Sequence, residues 1–219
     1  MKFSESLYKS VEEIWKSYCK HPFVKGIGDG TLDIDKFKFY MIQDYLYLLD
    51  YAKVYALGIV KADTEDVMQG FSSMVNSILN GEMSIHRSYM KRLGITSEEL
   101  KNTKASLDNI SYTHYMLAVS QIGSLADLSV SLLSCMWSYL EIGKKLSEIP
   151  GSTQHEFYGE WIRGYSSKEY EECTKWLIDL VDNLAENMAE KEQQKLVEIF
   201  INTSKYEYMF WDMSYNKGM

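Results

Sequence analysis

Four helical stripes in this chain carry a polar group among apolar ones. Cys135 falls on Leu128, Leu132, Cys135, Tyr139, Ile142, Leu146, and Glu207 on Leu196, Phe200, Thr203, Glu207, Phe210, Trp211. Asp44 falls on Phe37, Tyr40, Met41, Asp44, Leu48, Tyr51, Tyr55, and Tyr47 and Tyr51 share its face. Glu82 and His86 lie four apart on Phe71, Val75, Ile78, Glu82, His86, Tyr89, Leu93. Desolvating an unpaired polar group is costly, so each of these needs a partner or a task.

The side-chain types suggest what those tasks are. A cysteine on an apolar stripe is either a small packing group or a nucleophile. A glutamate ringed by aromatic side chains is disfavoured in its ionised form, as a general acid/base near neutral pH requires; a helix-end ion pair is the alternative. Asp44 is either a structural carboxylate bonded to a tyrosine hydroxyl or helix end, or an acceptor for a ligand. Glu82 and His86 read best as a buried ion pair. They are also half of a metal set, but di-iron bundles use Glu-x-x-His spacing, which this chain lacks. It holds only four histidines: His21, His86, His114 and His155.

Consecutive helices must position these groups. The pattern predicts helices over about Phe3 to Cys19, Asp33 to Lys61, Thr64 to Gly94, a short one from Ser97, then Tyr112 to Gln121, Ala126 to Leu146, Gln154 to Arg163, Lys168 to Met188 and Glu190 to Tyr215. A Gly-rich turn is expected at Gly26-Ile27-Gly28-Asp29-Gly30. It follows no apolar strand, so it does not read as a dinucleotide loop. Only Pro22 and Pro150 interrupt the chain, and no alternating Val/Ile/Thr runs appear, so no sheet is expected.

The 219 residues suit one domain over 1–219. The net charge is −8 and no basic cluster stands out, which argues against a nucleic-acid partner. Cys19, Cys135 and Cys173 are widely spaced and odd in number, as expected of reduced thiols in a cytoplasm, and without CxxC spacing they do not suggest zinc. No signal-peptide pattern opens the chain. The apolar stretch from Leu117 to Trp137 contains Asp127, whose cost in a bilayer centre is about 2.5–3.5 kcal/mol; a buried core helix is expected instead, and no membrane partner.

The segment Cys135-Met136-Trp137-Ser138-Tyr139-Leu140-Glu141-Ile142-Gly143 resembles the signature of the thiaminase II (TenA) family, as does Ser204-Lys205-Tyr206-Glu207-Tyr208-Met209-Phe210-Trp211-Asp212-Met213. His21-Pro22-Phe23, Gln43-Asp44-Tyr45-Leu46-Tyr47 and Tyr158 to Tyr165 agree in order and spacing, so the resemblance covers nearly the whole chain. It implies an all-α, single-domain, haem-oxygenase-like helical bundle that binds no haem and uses neither cofactor nor metal. It implies hydrolysis of 4-amino-5-aminomethyl-2-methylpyrimidine, and of thiamin by the same chemistry, in thiamin salvage. It makes Cys135 the nucleophile, Glu207 the acid/base and Asp44 the residue holding the pyrimidine edge. Tyr139 and Tyr165 become substrate contacts, Tyr47 a support for the thiol and Tyr112 a pocket ring. A homotetramer is also implied. One departure is Ser134, where the family often has proline. A binding protein that lost the chemistry, and a di-metal oxygenase using Glu82 and His86, are the competing readings on this fold.

Overall fold

The computed structural model describes residues 2–219. Among them lie eleven α-helices, one π-helical turn and one 3-10 turn, with no strand. The helices are α1 Phe3–Tyr18, α2 Pro22–Asp29, α3 Ile34–Lys61, α4 Glu65–Asn76, α5 Met83–Arg92, α6 Ser97–Asn102, α7 Leu107–Ile122, α8 Leu125–Ser147, α9 Tyr158–Tyr165, α10 Lys168–Ala185 and α11 Glu190–Asn216. The all-α expectation therefore holds.

Local chemistry sets the ends. Asp33, Thr64, Thr96, Ser106 and Ser167 each accept a backbone N–H at the start of a helix, satisfying donors that have no intrahelical partner. Asp127 has the same explanation. Its Oδ2 accepts from the Ser124 N–H at 2.7 Å and hydroxyl at 2.8 Å, while the Ser124 hydroxyl accepts from the Asp127 N–H. The acidic group inside the apolar stretch thus belongs to a helix-capping pair.

Four expectations need correction. The Gly-rich turn is instead helix α2: Pro22 occupies its first turn, the His21 ring accepts from the Phe23 N–H, and only Gly30 at φ 76° leaves the helical region. The single helix from Thr64 to Gly94 is broken by the π-helical turn Ser77–Glu82. Helix α7 begins at Leu107 rather than Tyr112, because Ser106 caps it and Gln43 receives the Ser106 N–H at 2.9 Å. The helix expected from Gln154 starts at Tyr158, after the 3-10 turn Ser152–Gln154.

By contacts the chain divides into two compact units. One is the segment up to Leu32 with Ser129–Trp211; the other is Asp33–Leu128 with Asp212–Met219. The first has a core rich in aromatic rings: Trp15 lies 5.5 Å from Trp137 and 5.6 Å from Phe200, while Trp211 lies 5.6 Å from Phe23. In the second, Tyr47, Tyr51, Tyr55 and Phe71 form a continuous row of rings with centroids 5.1–6.1 Å apart. Such pairs contribute about 0.5–1.5 kcal/mol each beyond area burial, which gives the unusually numerous tyrosines a structural use as well as a chemical one.

Candidate active site

In the first unit, Cys135 lies midway along α8 and Glu207 two-thirds along α11. Both are buried, at 8% and 2% exposure. The contacts on either side bracket them. One residue before Cys135, the Ser134 hydroxyl meets the Ser204 hydroxyl at 2.9 Å, three residues before Glu207. One turn beyond, the Tyr139 and Trp211 rings lie 5.1 Å apart. Residues spaced by one turn share a helix face, so the thiol and the carboxyl occupy facing turns of α8 and α11. Ser134, where the family often has proline, thus ties the two helices together and leaves α8 an unbroken helix.

Tyr18 reports on the same region. Its hydroxyl donates to the Ser204 carbonyl, and the Trp15 indole N–H donates to the Ser204 hydroxyl at 3.1 Å. Burial first, then the charges of Glu207 and Cys135, push the Tyr18 hydroxyl well above its ordinary pKa. The hydroxyl stays protonated as a donor, and Glu207 and Cys135 both lie within electrostatic range of it. Nothing in the sequence singled out Tyr18: it continues the ordinary buried stripe Leu7, Val11, Trp15, Tyr18.

The Tyr139 and Tyr165 rings pack against each other. Their centroids are 4.7 Å apart, and Trp161 sits 4.6 Å from Tyr165. Gly143 allows the approach, because a Cβ there would lie 2.6 Å from the Tyr165 carbonyl carbon. None of the three cysteines forms a disulfide.

In the second unit, Asp44 is 3% exposed and its Oδ2 lies 2.6 Å from His86 Nε2. His86 Nδ1 is 3.0 Å from the backbone carbonyl of Glu82. The expected pairing of Glu82 with His86 is therefore corrected: the buried partner of the imidazole is Asp44, and Glu82 contributes its carbonyl and a more distant charge. Burial works to lower the His86 pKa, but the bond to Asp44, the Asp44 charge and the Glu82 charge outweigh it and raise it. Tyr47 and Tyr51 stack at 5.2 Å, and Tyr112 lies 5.3 Å from Tyr47. The Tyr47 hydroxyl donates to Met116 Sδ at 3.8 Å. Beside Asp44, the Gln43 side chain bonds the Lys104 carbonyl and the Ser106 N–H, fixing where α7 begins and hence where Tyr112 stands. Among the described residues, no group of three or more His, Cys, Asp and Glu side chains is placed to hold a metal ion.

Among the described residues the regular structure is all helical, and it buries Cys135 on α8 and Glu207 on α11. A domain of unknown function with a heme oxygenase-like fold from Shewanella denitrificans OS217 superposes with a TM-score of 0.74 over 97% of this chain and 92% of that one, at 17% identity, so the fold is haem-oxygenase-like. The TENA/THI-4/PQQC family pattern matches residues 8–217, and the chain belongs to that family. It is 54% identical to an aminopyrimidine aminohydrolase of Helicobacter pylori over 98% of this chain and 99% of the relative. It also resembles a TenA homologue protein from P. horikoshii OT3, with a TM-score of 0.91, 30% identity and full coverage of both chains.

Proposed function

We propose that the protein is an aminopyrimidine aminohydrolase of thiamin salvage that acts by covalent catalysis through Cys135. The bracketing of Cys135 and Glu207 on facing turns of α8 and α11, between the Ser134–Ser204 bond and the Tyr139–Trp211 contact, is the observation that carries this reading. The name of the full-length Helicobacter pylori relative supports the substrate class.

In the mechanism, the Cys135 thiolate forms a bond to a carbon of the electron-poor pyrimidine ring. Glu207 delivers a proton to the aminomethyl nitrogen, and the C–N bond breaks to release ammonia. Water then adds to the exocyclic methylene, returning a proton to the Glu207 carboxylate. The C–S bond breaks, restoring the ring and the thiolate. The sum is aminomethylpyrimidine plus water giving hydroxymethylpyrimidine plus ammonia. Covalent catalysis divides one hard displacement into easier steps, and a carboxyl that gives and then takes a proton serves both halves.

Asp44 accepts from the pyrimidine's amino group. Tyr139, Tyr165 and Tyr112 supply ring faces for a flat substrate. Tyr47 supports the thiolate. Thiamin is cleaved by the same route. The whole chain acts as one catalytic domain, in a cytoplasmic homotetramer. Among the described residues no helix is long and apolar enough to cross a membrane.

The test is product analysis. Purified protein incubated with 4-amino-5-aminomethyl-2-methylpyrimidine yields one ammonia and one hydroxymethylpyrimidine per substrate consumed. Tight binding of the pyrimidine without product would instead identify a binding protein that has lost the chemistry.

A further inference from the structure

We propose that His86 is a positioning residue that occupies Oδ2 of Asp44 through a shared proton and leaves recognition of the pyrimidine amino group to Oδ1. This rests on the assignment of Asp44 to the substrate made above.

A backbone carbonyl only accepts hydrogen bonds, so His86 Nδ1, 3.0 Å from the Glu82 carbonyl, carries a hydrogen. A neutral imidazole in that tautomer has a bare lone pair on Nε2. An ionised Asp44 Oδ2 at 2.6 Å would then oppose lone pair to lone pair across a short contact. A proton must lie in that bond. The pair is either imidazolium with carboxylate or imidazole with carboxylic acid; both have zero net charge. The two side chains are only 3% and 5% exposed, so water does not supply an alternative partner for either.

Two consequences follow for Asp44. Its Oδ2 is engaged along a strong, short bond, which locks the carboxyl plane. Its Oδ1 remains an acceptor, which matches an exocyclic amino donor and opposes an oxo group at the same ring position. The dyad therefore selects an amino-substituted pyrimidine edge, since a site built for a donor strongly rejects an analogue that lacks it.

The helix register is built for this pairing. In an unbroken α-helix the buried position one turn after Ile78 would fall on Glu82. The π-helical turn Ser77–Glu82 instead lets the Met83 N–H bond back five residues to the Ile78 carbonyl. Met83 and His86 become the buried positions, and Glu82 is only half-buried. π-helical turns are rare and are often found at functional sites. The charged groups facing His86 are Asp44 from α3 and Glu82 from the turn before its own helix, and together they outweigh burial and raise its pKa.

The test uses two amides that mimic different ring nitrogens. The amide nitrogen of His86→Gln falls near Nε2 and donates to Asp44; that of His86→Asn falls near Nδ1 and reaches only the Glu82 carbonyl. The His86→Asn variant is expected to raise KM for the aminopyrimidine on the order of tenfold with kcat changed by less than about threefold, and His86→Gln to restore KM to within about threefold of wild type. Equal KM values for the two variants, alongside a raised KM in Asp44→Ala, would overturn the proposal. An unchanged KM in Asp44→Ala would overturn the assignment of Asp44 itself, and the proposal with it. Should both histidine variants fold poorly, nitrogen NMR of wild type without substrate decides: a hydrogen on Nδ1 and a low-field proton in the Nε2–Asp44 bond, lost in Asp44→Ala, are expected. A bare Nε2 with no shared proton would contradict it.

Discussion

Cys135 sits too far into α8 for the positive end of that helix to ionise it, since the dipole acts only within the first turn. A hydrogen-bond donor has to compensate, and Tyr47 is the donor proposed above. Its hydroxyl donates to the Met116 thioether at 3.8 Å, and a thioether is a weak acceptor that competes poorly with an anion. Replacing Tyr47 with phenylalanine is expected to slow iodoacetamide alkylation of Cys135 near neutral pH and to move the alkylation-pH curve upward; superimposable curves for the two proteins would remove Tyr47 from this role. His86 gives a second residue-level expectation. Its pKa is raised from 6.5 in the folded chain. The stability it contributes is fully present below about pH 6.5 and is lost as the pH rises through the raised value. Urea unfolding followed across that window should show a decline in wild type that His86→Gln lacks.

The helices place these groups through a small number of close approaches. Gly143 lies one turn after Tyr139 on α8, and its missing side chain admits the backbone of Tyr165 from the end of α9. Alanine at this position gains about 1 kcal/mol of helix propensity. It also drives a methyl group into a backbone carbonyl that cannot rotate away, and overpacking of that kind costs about 1–3 kcal/mol or more. The clash should win. Gly143→Ala is expected to lower the urea midpoint and to weaken pyrimidine binding by displacing Tyr165; a more stable variant would show that the helices separate freely.

The element scale also explains what the sequence made legible. Cys135, Glu207 and Asp44 stood out because each interrupts an apolar period within a regular helix. His86 was visible for the same reason, but its partner was not. The π-helical turn shifts the register by one residue, and a 3.6-residue period cannot anticipate that. The start of α7 was missed because Gln43, more than sixty residues earlier in the chain, receives the Ser106 N–H. Tyr18 was missed because it looks like any other buried aromatic until the Ser204 carbonyl and the charges of Glu207 and Cys135 surround it. Asp127 shows the converse: the Ser-x-x-Asp spacing of its capping pair was readable, but the apolar run around it drew attention to the core.

At the scale of the whole molecule, the net charge of −8 argues against a polyanionic partner, and the proposed activity needs only a small substrate held among aromatic rings. The proposed assembly is checked by sedimentation equilibrium, which should return four times the 25.5 kDa chain mass. A monomer would separate the chemistry from any need for assembly. Whether Cys135 carries the reaction is tested by ammonia release from 4-amino-5-aminomethyl-2-methylpyrimidine by wild type and Cys135→Ser under identical conditions. The serine variant should retain fold and pyrimidine binding while losing on the order of 10³-fold or more in rate, because a serine hydroxyl lacks both the ionisation and the nucleophilicity of a thiolate. Release by Cys135→Ser at the wild-type rate would remove Cys135 from the chemistry.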